Sequence, residues 1–112
     1  MHAVAQERCA QNESLFREVN EQILGIATTH GAGNSHVYSF FCECCDPNCR
    51  DRVEMPLEEY ESVREDGRRF LIAPGHAATD IEEVVEIEDE HQIVEKVGVA
   101  GTVAARLDPR AA

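Results

Sequence analysis

Tryptophan is absent from this chain of 112 residues, and its large rings number six: Phe16, Phe40, Phe41, Phe70, Tyr38 and Tyr60. A core with so few aromatics is modest, and small domains in that position commonly need a staple or a bound metal. Basic residues are also scarce, with 10 Lys and Arg against 22 Asp and Glu and a formal net charge of -12. That balance opposes nucleic-acid binding, which requires clustered cations to neutralise phosphates. Arg50, Arg52, Arg64, Arg68 and Arg69 fall mid-chain, whereas residues 80–95 carry eight acids and no base, as expected of a solvated acidic surface. No run approaches the ~18–20 apolar residues of a membrane span. The segment Met1-His2-Ala3-Val4-Ala5-Gln6-Glu7-Arg8 has neither the basic nor the apolar region of a secretory signal. A cytoplasmic location with reduced thiols follows as the expectation, and an odd count of five cysteines fits a disulfide framework poorly. There is no P-loop, no Ser/His/Asp order and no internal repeat, and Gly31-Ala32-Gly33 is too short for a dinucleotide fingerprint.

Local patterns outline an α+β domain over residues 12–97, between a flexible N-terminal arm (1–11) and a loosely ordered C-terminal tail (98–112). Asn12 or Ser14 caps a helix to about Ala27, with Leu15, Phe16, Val19, Ile23 and Ile26 recurring at helical spacing. That stripe predicts a core-facing side, with Arg17, Glu18, Glu21 and Gln22 opposite, or else a partner surface. Residues 28–35 read as a loop, and Val37 to Cys42 as a strand rich in β-formers. Arg52 to Met55 return as the second strand of a hairpin. Pro56 opens a short central helix to about Glu65, bearing Leu57, Tyr60 and Val63 on its apolar face. Arg69 to Ala73, Glu82 to Glu88 and Gln92 to Val97 complete a small antiparallel sheet. Val85 and Ile87 are expected to face inward opposite Ile93 or Val94.

Four of the cysteines crowd one window, Cys42-Glu43-Cys44-Cys45-Asp46-Pro47-Asn48-Cys49, at the tip of the expected hairpin. Tetrahedral zinc takes four thiolate or imidazole ligands. Cys42, Cys44 and Cys49 form a Cys-x-Cys-x4-Cys knuckle, and the Asp46-Pro47-Asn48 turn brings the third sulfur back toward the first two. Consecutive extended residues point to opposite sides, so Cys45 cannot readily join Cys44 on one ion. His76, in a Pro74-Gly75-His76 turn, is the expected fourth ligand, with His36 as runner-up and His30, His91 and His2 behind it. Gly75 there permits close backbone approach and Pro74 stiffens the entry. Two other readings use the same window. Cys42-x-x-Cys45 has redox-pair spacing, but a turn follows it instead of a helix, and Glu43 and Asp46 disfavour the thiolate. An iron–sulfur cluster has thiols enough, though the spacing matches no common ferredoxin run. Cys9 reads as a plain, partly buried thiol.

Asn12 to Glu21, Phe41-Cys42-Glu43-Cys44, Cys49, Leu57 to Arg64, Arg69-Phe70 and Pro74-Gly75-His76 together carry a resemblance. The chain resembles a small uncharacterised actinobacterial protein family with a Phe-Cys-Glu-Cys-x4-Cys knuckle and a downstream Pro-Gly-His turn. Its relatives have a small residue where this chain has Cys45, which implies that Cys45 is a spare thiol. The resemblance implies no activity. The sequence therefore predicts a non-enzymatic zinc-binding module with a structural Cys3His site, acting on a protein partner or a second copy, with no nucleic acid and no membrane. The acidic strand pair (residues 82–95) and the helix stripe are its candidate surfaces. The alternatives are a thiol and zinc redox sensor with Cys45 or Cys9 as resolving thiol, and, more remotely, a zinc hydrolase using Glu43 as base.

Overall fold

A computed structural model describes residues 3–29, with side chains from Arg8 onward, and residues 36–110. Its elements are α1 (Ala3–Thr29), β1 (Val37–Phe41), β2 (Arg52–Pro56), α2 (Leu57–Val63), β3 (Arg69–Ile72), β4 (Glu82–Ile87), β5 (Gln92–Lys96) and α3 (Gly98–Arg106). The architecture is α+β: an N-terminal helix, a β1–β2 antiparallel hairpin, a short helix and an antiparallel sheet of order β3-β5-β4. Residues 30–35, which hold most of the expected loop and His30, lie outside the described residues, as does His2.

β5 is the central strand, and its neighbours Ile93 and Val94 are both buried because each sheet face is covered. On one face Leu71 and Ile93 join Phe40, Val53, Met55, Leu57, Tyr60 and Val63 from the hairpin and α2. On the other, Phe70, Ile72 and Val94 meet Ala104 of α3 and the cysteine loop. This is the period-2 alternation of a strand read out by two different partners. The inward assignment of Val85 and Ile87 does not hold. The pairing skips from Val84↔Val94 to Glu86↔Ile93, a bulge that leaves Val85 unpaired and turns the end of β4 outward, with Ile87 73% exposed. Pro56 ends β2 in an extended conformation (φ -63°, ψ 151°) and stands just before α2 instead of inside its first turn.

Helix α1 departs most from its apolar pattern. Its sheltered side carries Cys9, Ala10, Glu13, Ser14, Arg17, Asn20, Leu24 and Ala27, while Leu15 and Ile26 are 60% and 64% exposed. Arg17, expected on the solvent side, is wholly buried. Its guanidinium donates to Gly67 O at 2.5 Å and Ala104 O at 2.9 Å and lies 4.4 Å from the centre of the Phe70 ring. Those carbonyls, at the turn after α2 and in the last turns of α3, need a donor once covered, and a planar five-donor fork supplies it. Two further buried cations tie the elements: Arg64 to Glu21 and Asp108, and Lys96 to Glu13 and Glu82.

Both ends of the domain also differ from expectation. α1 already runs from Ala3, and the supposed tail forms α3, whose Ala100, Gly101, Val103 and Ala104 are buried. Small side chains give little apolar signal, yet they let α3 approach closely: a Cβ on Gly101 would lie 2.9 Å from Lys96 O. The described residues contain no helix long and apolar enough to cross a membrane.

Candidate metal centre

The hairpin delivers the knuckle. Strand pairing ends at Phe41↔Arg52 and is extended by a Cys42 N–H···O=C Asp51 bond of 2.9 Å, so residues 43–50 form the connecting loop. Within it, Asn48 N–H donates to Asp46 Oδ1 at 2.9 Å and Cys49 N–H to Asp46 O at 3.1 Å, closing the Asp-Pro-Asn turn. Across from it, His76 N–H donates to Ala73 O at 3.2 Å, around Pro74 and a Gly75 with φ +82°. Pro and Gly at these two central positions suit a turn requiring a left-handed third residue. Gly75 serves that φ and not close approach, since a Cβ there would meet nothing within 4 Å.

These two turns bring Cys42, Cys44, Cys49 and His76 together, with one donor atom of each within 4.8 Å of all the others. His76 Nδ1 lies 3.6 Å from Cys42 Sγ and 3.7 Å from Cys49 Sγ. Zinc bonds of ~2.3 Å to sulfur and ~2.1 Å to nitrogen, at tetrahedral angles, imply S···N edges of about 3.6 Å. The donor set and these two edges are thus compatible with one four-coordinate ion. The three cysteines are buried, and His76 and Cys44 line a surface depression with Cys45, Asp46 and Gly75.

Two acids that are not donors position this group. Glu43, between two ligands, is fully buried: Oε1 accepts from Leu71 N–H at 2.9 Å, and Oε2 accepts from Tyr60 O–H at 2.5 Å and Asn20 Nδ2 at 2.8 Å. Glu43 N–H donates to Leu71 O at 2.6 Å, so this one residue pins the knuckle to β3, α1 and α2. β3 is thereby aligned so that Ala73 N–H donates to Cys42 Sγ at 3.1 Å. Burial raises the Glu43 carboxyl, against the lowering effect of its donors. Asp51 stands behind His76, with Oδ2 3.2 Å from Nε2, which leaves Nδ1 free to face the sulfurs. Sequence reasoning missed Asp51, and its only signal is its place two residues after a ligand. Asp51→Ala is expected to lower metal affinity by about tenfold, the lower end of the usual ~10–100-fold range, because this acid is mostly exposed. Competition against a chromophoric chelator measures it, and unchanged affinity removes Asp51 from the site.

Without a cation the three thiols share charge. Cys44 is pulled down to about 5, first by the Cys42 hydrogen bond. Cys42 is pushed up, first by that same bond and then by burial, and burial pushes Cys49 up. Sulfurs that compete for one negative charge become equivalent ligands once a cation compensates them.

The remaining predicted residues lie elsewhere. His36 is exposed and edge-on to Tyr38, 4.8 Å between ring centres, and buried His91 has Nε2 3.5 Å from Glu59. Cys45 stands apart from the donor group, as its position next to Cys44 suggests. A disulfide between Cys9 and Cys45 corrects the readings of Cys9 as a plain thiol and Cys45 as a spare one, and with them the expectation that these thiols are reduced. Nothing local in the sequence announces that pair: α1 begins twelve residues before Leu15, the first residue of its apolar pattern, and that extension carries Cys9 to the knuckle. Comparison with known proteins returns no matching family model, no matching curated protein and no matching solved structure.

Proposed function

We propose that the chain is a non-enzymatic, zinc-stapled interaction module that pairs with a second copy through α1. The observation that carries the metal assignment is the convergence of three sulfurs and one imidazole nitrogen within 4.8 Å of one another, with two S···N edges of 3.6 and 3.7 Å. Four protein donors complete zinc's usual structural shell, which favours a staple over a catalyst. Thiolate-rich donor sets select zinc over magnesium or calcium. The hydrolase reading weakens because both Glu43 oxygens are engaged with Leu71, Tyr60 and Asn20, so that carboxylate is not available as a base. The resemblance to the actinobacterial family, carried by the knuckle and the Pro-Gly-His turn, belongs to this proposal, as does a cytoplasmic location, in which the Cys9–Cys45 bond is a cycling disulfide and not a permanent staple.

The partner surface is the α1 stripe that the fold leaves open: Leu15 and Ile26, with half-buried Phe16, Val19 and Ile23. A chain of net charge -12 can meet its own copy only where acids are sparse, and Glu18 is the sole acid on the exposed side between Leu15 and Ile26. The acidic strand pair is the surface a cationic partner would choose, and it is unsuited to self-pairing.

Elemental analysis of protein purified without added metal is expected to give one zinc per chain. Light scattering on the same sample is expected to give a dimer, strengthened by salt that screens the acidic surfaces. Leu15→Glu with Ile26→Glu should return a zinc-loaded monomer. Absence of zinc overturns the staple, and a native monomer at ~0.1 mM overturns the pairing.

A further inference from the structure

We propose that Cys9–Cys45 is a redox-active disulfide, opened by a dithiol reductant that attacks Cys45 and expels Cys9. The two sulfurs of the bond occupy unlike places. Cys45 is half-buried and lines the surface depression beside Cys44, Asp46, Gly75 and His76, whereas Cys9 is buried on α1. A nucleophile must approach a disulfide sulfur from outside, so access selects Cys45 as the attacked atom.

The buried side has chemistry suited to a leaving group. Cys9 Sγ lies 3.3 Å from Glu13 Oε1. The bonded sulfur carries no hydrogen, so a proton in that contact can come only from the carboxyl. Burial raises Glu13 well above the ordinary carboxylate range, opposed by Lys96, and its Oε2 has no hydrogen-bond partner among the described residues. Glu13, whose Oε1 is shared between Lys96 and this sulfur, is thus placed to give a proton to the sulfur that departs.

The steps balance with a dithiol R(SH)2 as the named reductant. One thiolate of R attacks Cys45 Sγ, an R–S–S–Cys45 bond forms, and the Cys9–Cys45 bond breaks with its electron pair on Cys9. The Glu13 proton passes to Cys9, whose S–H then donates back to Oε1, while the new carboxylate is held by Lys96. The second thiolate of R attacks the mixed disulfide, releasing Cys45 as a thiolate that takes a proton from water, and R leaves oxidised. The protein gains two electrons and one proton, the proton on Cys9 having moved within the chain from Glu13. Cys42, Cys44, Cys49 and His76 take no part, which separates this bond from a sensor that works by expelling its metal. The two claims also fail separately, because the zinc measurement above does not depend on the state of this pair.

The test uses the metal-loaded full chain and glutathione, a monothiol that stops at the mixed disulfide. After acid quench and alkylation, peptide mass spectrometry is expected to find glutathione on Cys45 and the alkyl group on Cys9, with at least tenfold preference, and metal analysis of the sample before the quench is expected to show the ion retained. Glutathione on Cys9, or equal labelling of the two, overturns the direction of attack. Free thiols at both positions in air-purified protein overturn the disulfide itself. Glu13→Gln, compared by rate with circular dichroism and metal content as controls, is expected to slow Cys9 release by about tenfold or more. A native rate removes Glu13 as the donor.

Discussion

Cys49→Ser is expected to lower bound metal to well below one ion per chain and to take several kcal/mol of stability with it. A serine hydroxyl is a poor ligand beside two thiolates, so the staple between the hairpin tip and the Pro-Gly-His turn opens. Losing an ion that saturates its site about 1,000-fold above Kd costs about 4 kcal/mol. Cys44→Ser should behave alike. Cys45→Ser is the discriminating control: it should keep the metal yet lose the cross-link between residues 36 apart, worth about 3–4 kcal/mol by loop entropy. Metal analysis together with denaturant midpoints under non-reducing conditions resolves these outcomes, and equal metal loss for Cys45→Ser would sink the ligand assignment. Acid should mimic the ligand mutants. In the ion-free site Cys42 and Cys49 are pushed up, so an incoming cation must displace their protons. Affinity therefore rises with pH and falls on acidification.

Glu43→Ala should be nearly as damaging although Glu43 holds no metal. It strips the acceptor from Leu71 N–H, Tyr60 O–H and Asn20 Nδ2 together, all at a buried site. Buried donors left unpaired cost about 1–3 kcal/mol each, and partial relaxation brings the expected loss to about 3–5 kcal/mol. Metal affinity should also drop about 10–100-fold, because the residue lies between two ligands and aligns β3 with the knuckle. Chemical denaturation of the loaded protein tests the first figure, and a loss under 1 kcal/mol would contradict it. The pH dependence carries its own sign. A carboxyl raised by burial contributes stability that is present in acid and lost as pH rises through its folded value. Glu43→Gln should remove that dependence while keeping the Leu71 contact.

Much of the site was legible because its determinants are local. Coordination preference, the alternation of extended residues and the Asp-Pro-Asn and Pro-Gly-His turns suffice to separate three candidate ligands in the cysteine window from Cys45, and to nominate His76. The α+β order followed from β-branched runs and turn residues in the same way. Longer-range features were less accessible. Leu15 and Ile26 look like core residues by helical periodicity, and Arg17 looks like a surface one. The fold reverses them, because Gly67 and Ala104 offer carbonyls, and Phe70 a ring face, to a guanidinium arriving from α1. Residues 98–106 carried almost no apolar signal, since a helix of Gly, Ala and Val packs by closeness and not by side-chain size.

By itself, then, the sequence determined the candidate donors of the knuckle and the two turns that aim them, since each turn depends on neighbours within a few residues. Tertiary structure alone decided which side of α1 is buried, that Asp51 backs His76, that Val85 bulges outward and that Cys9 meets Cys45. Each of those depends on a polar group or sulfur finding its complement many residues away, and the free energy of burying it is set by that partner and not by its own side chain.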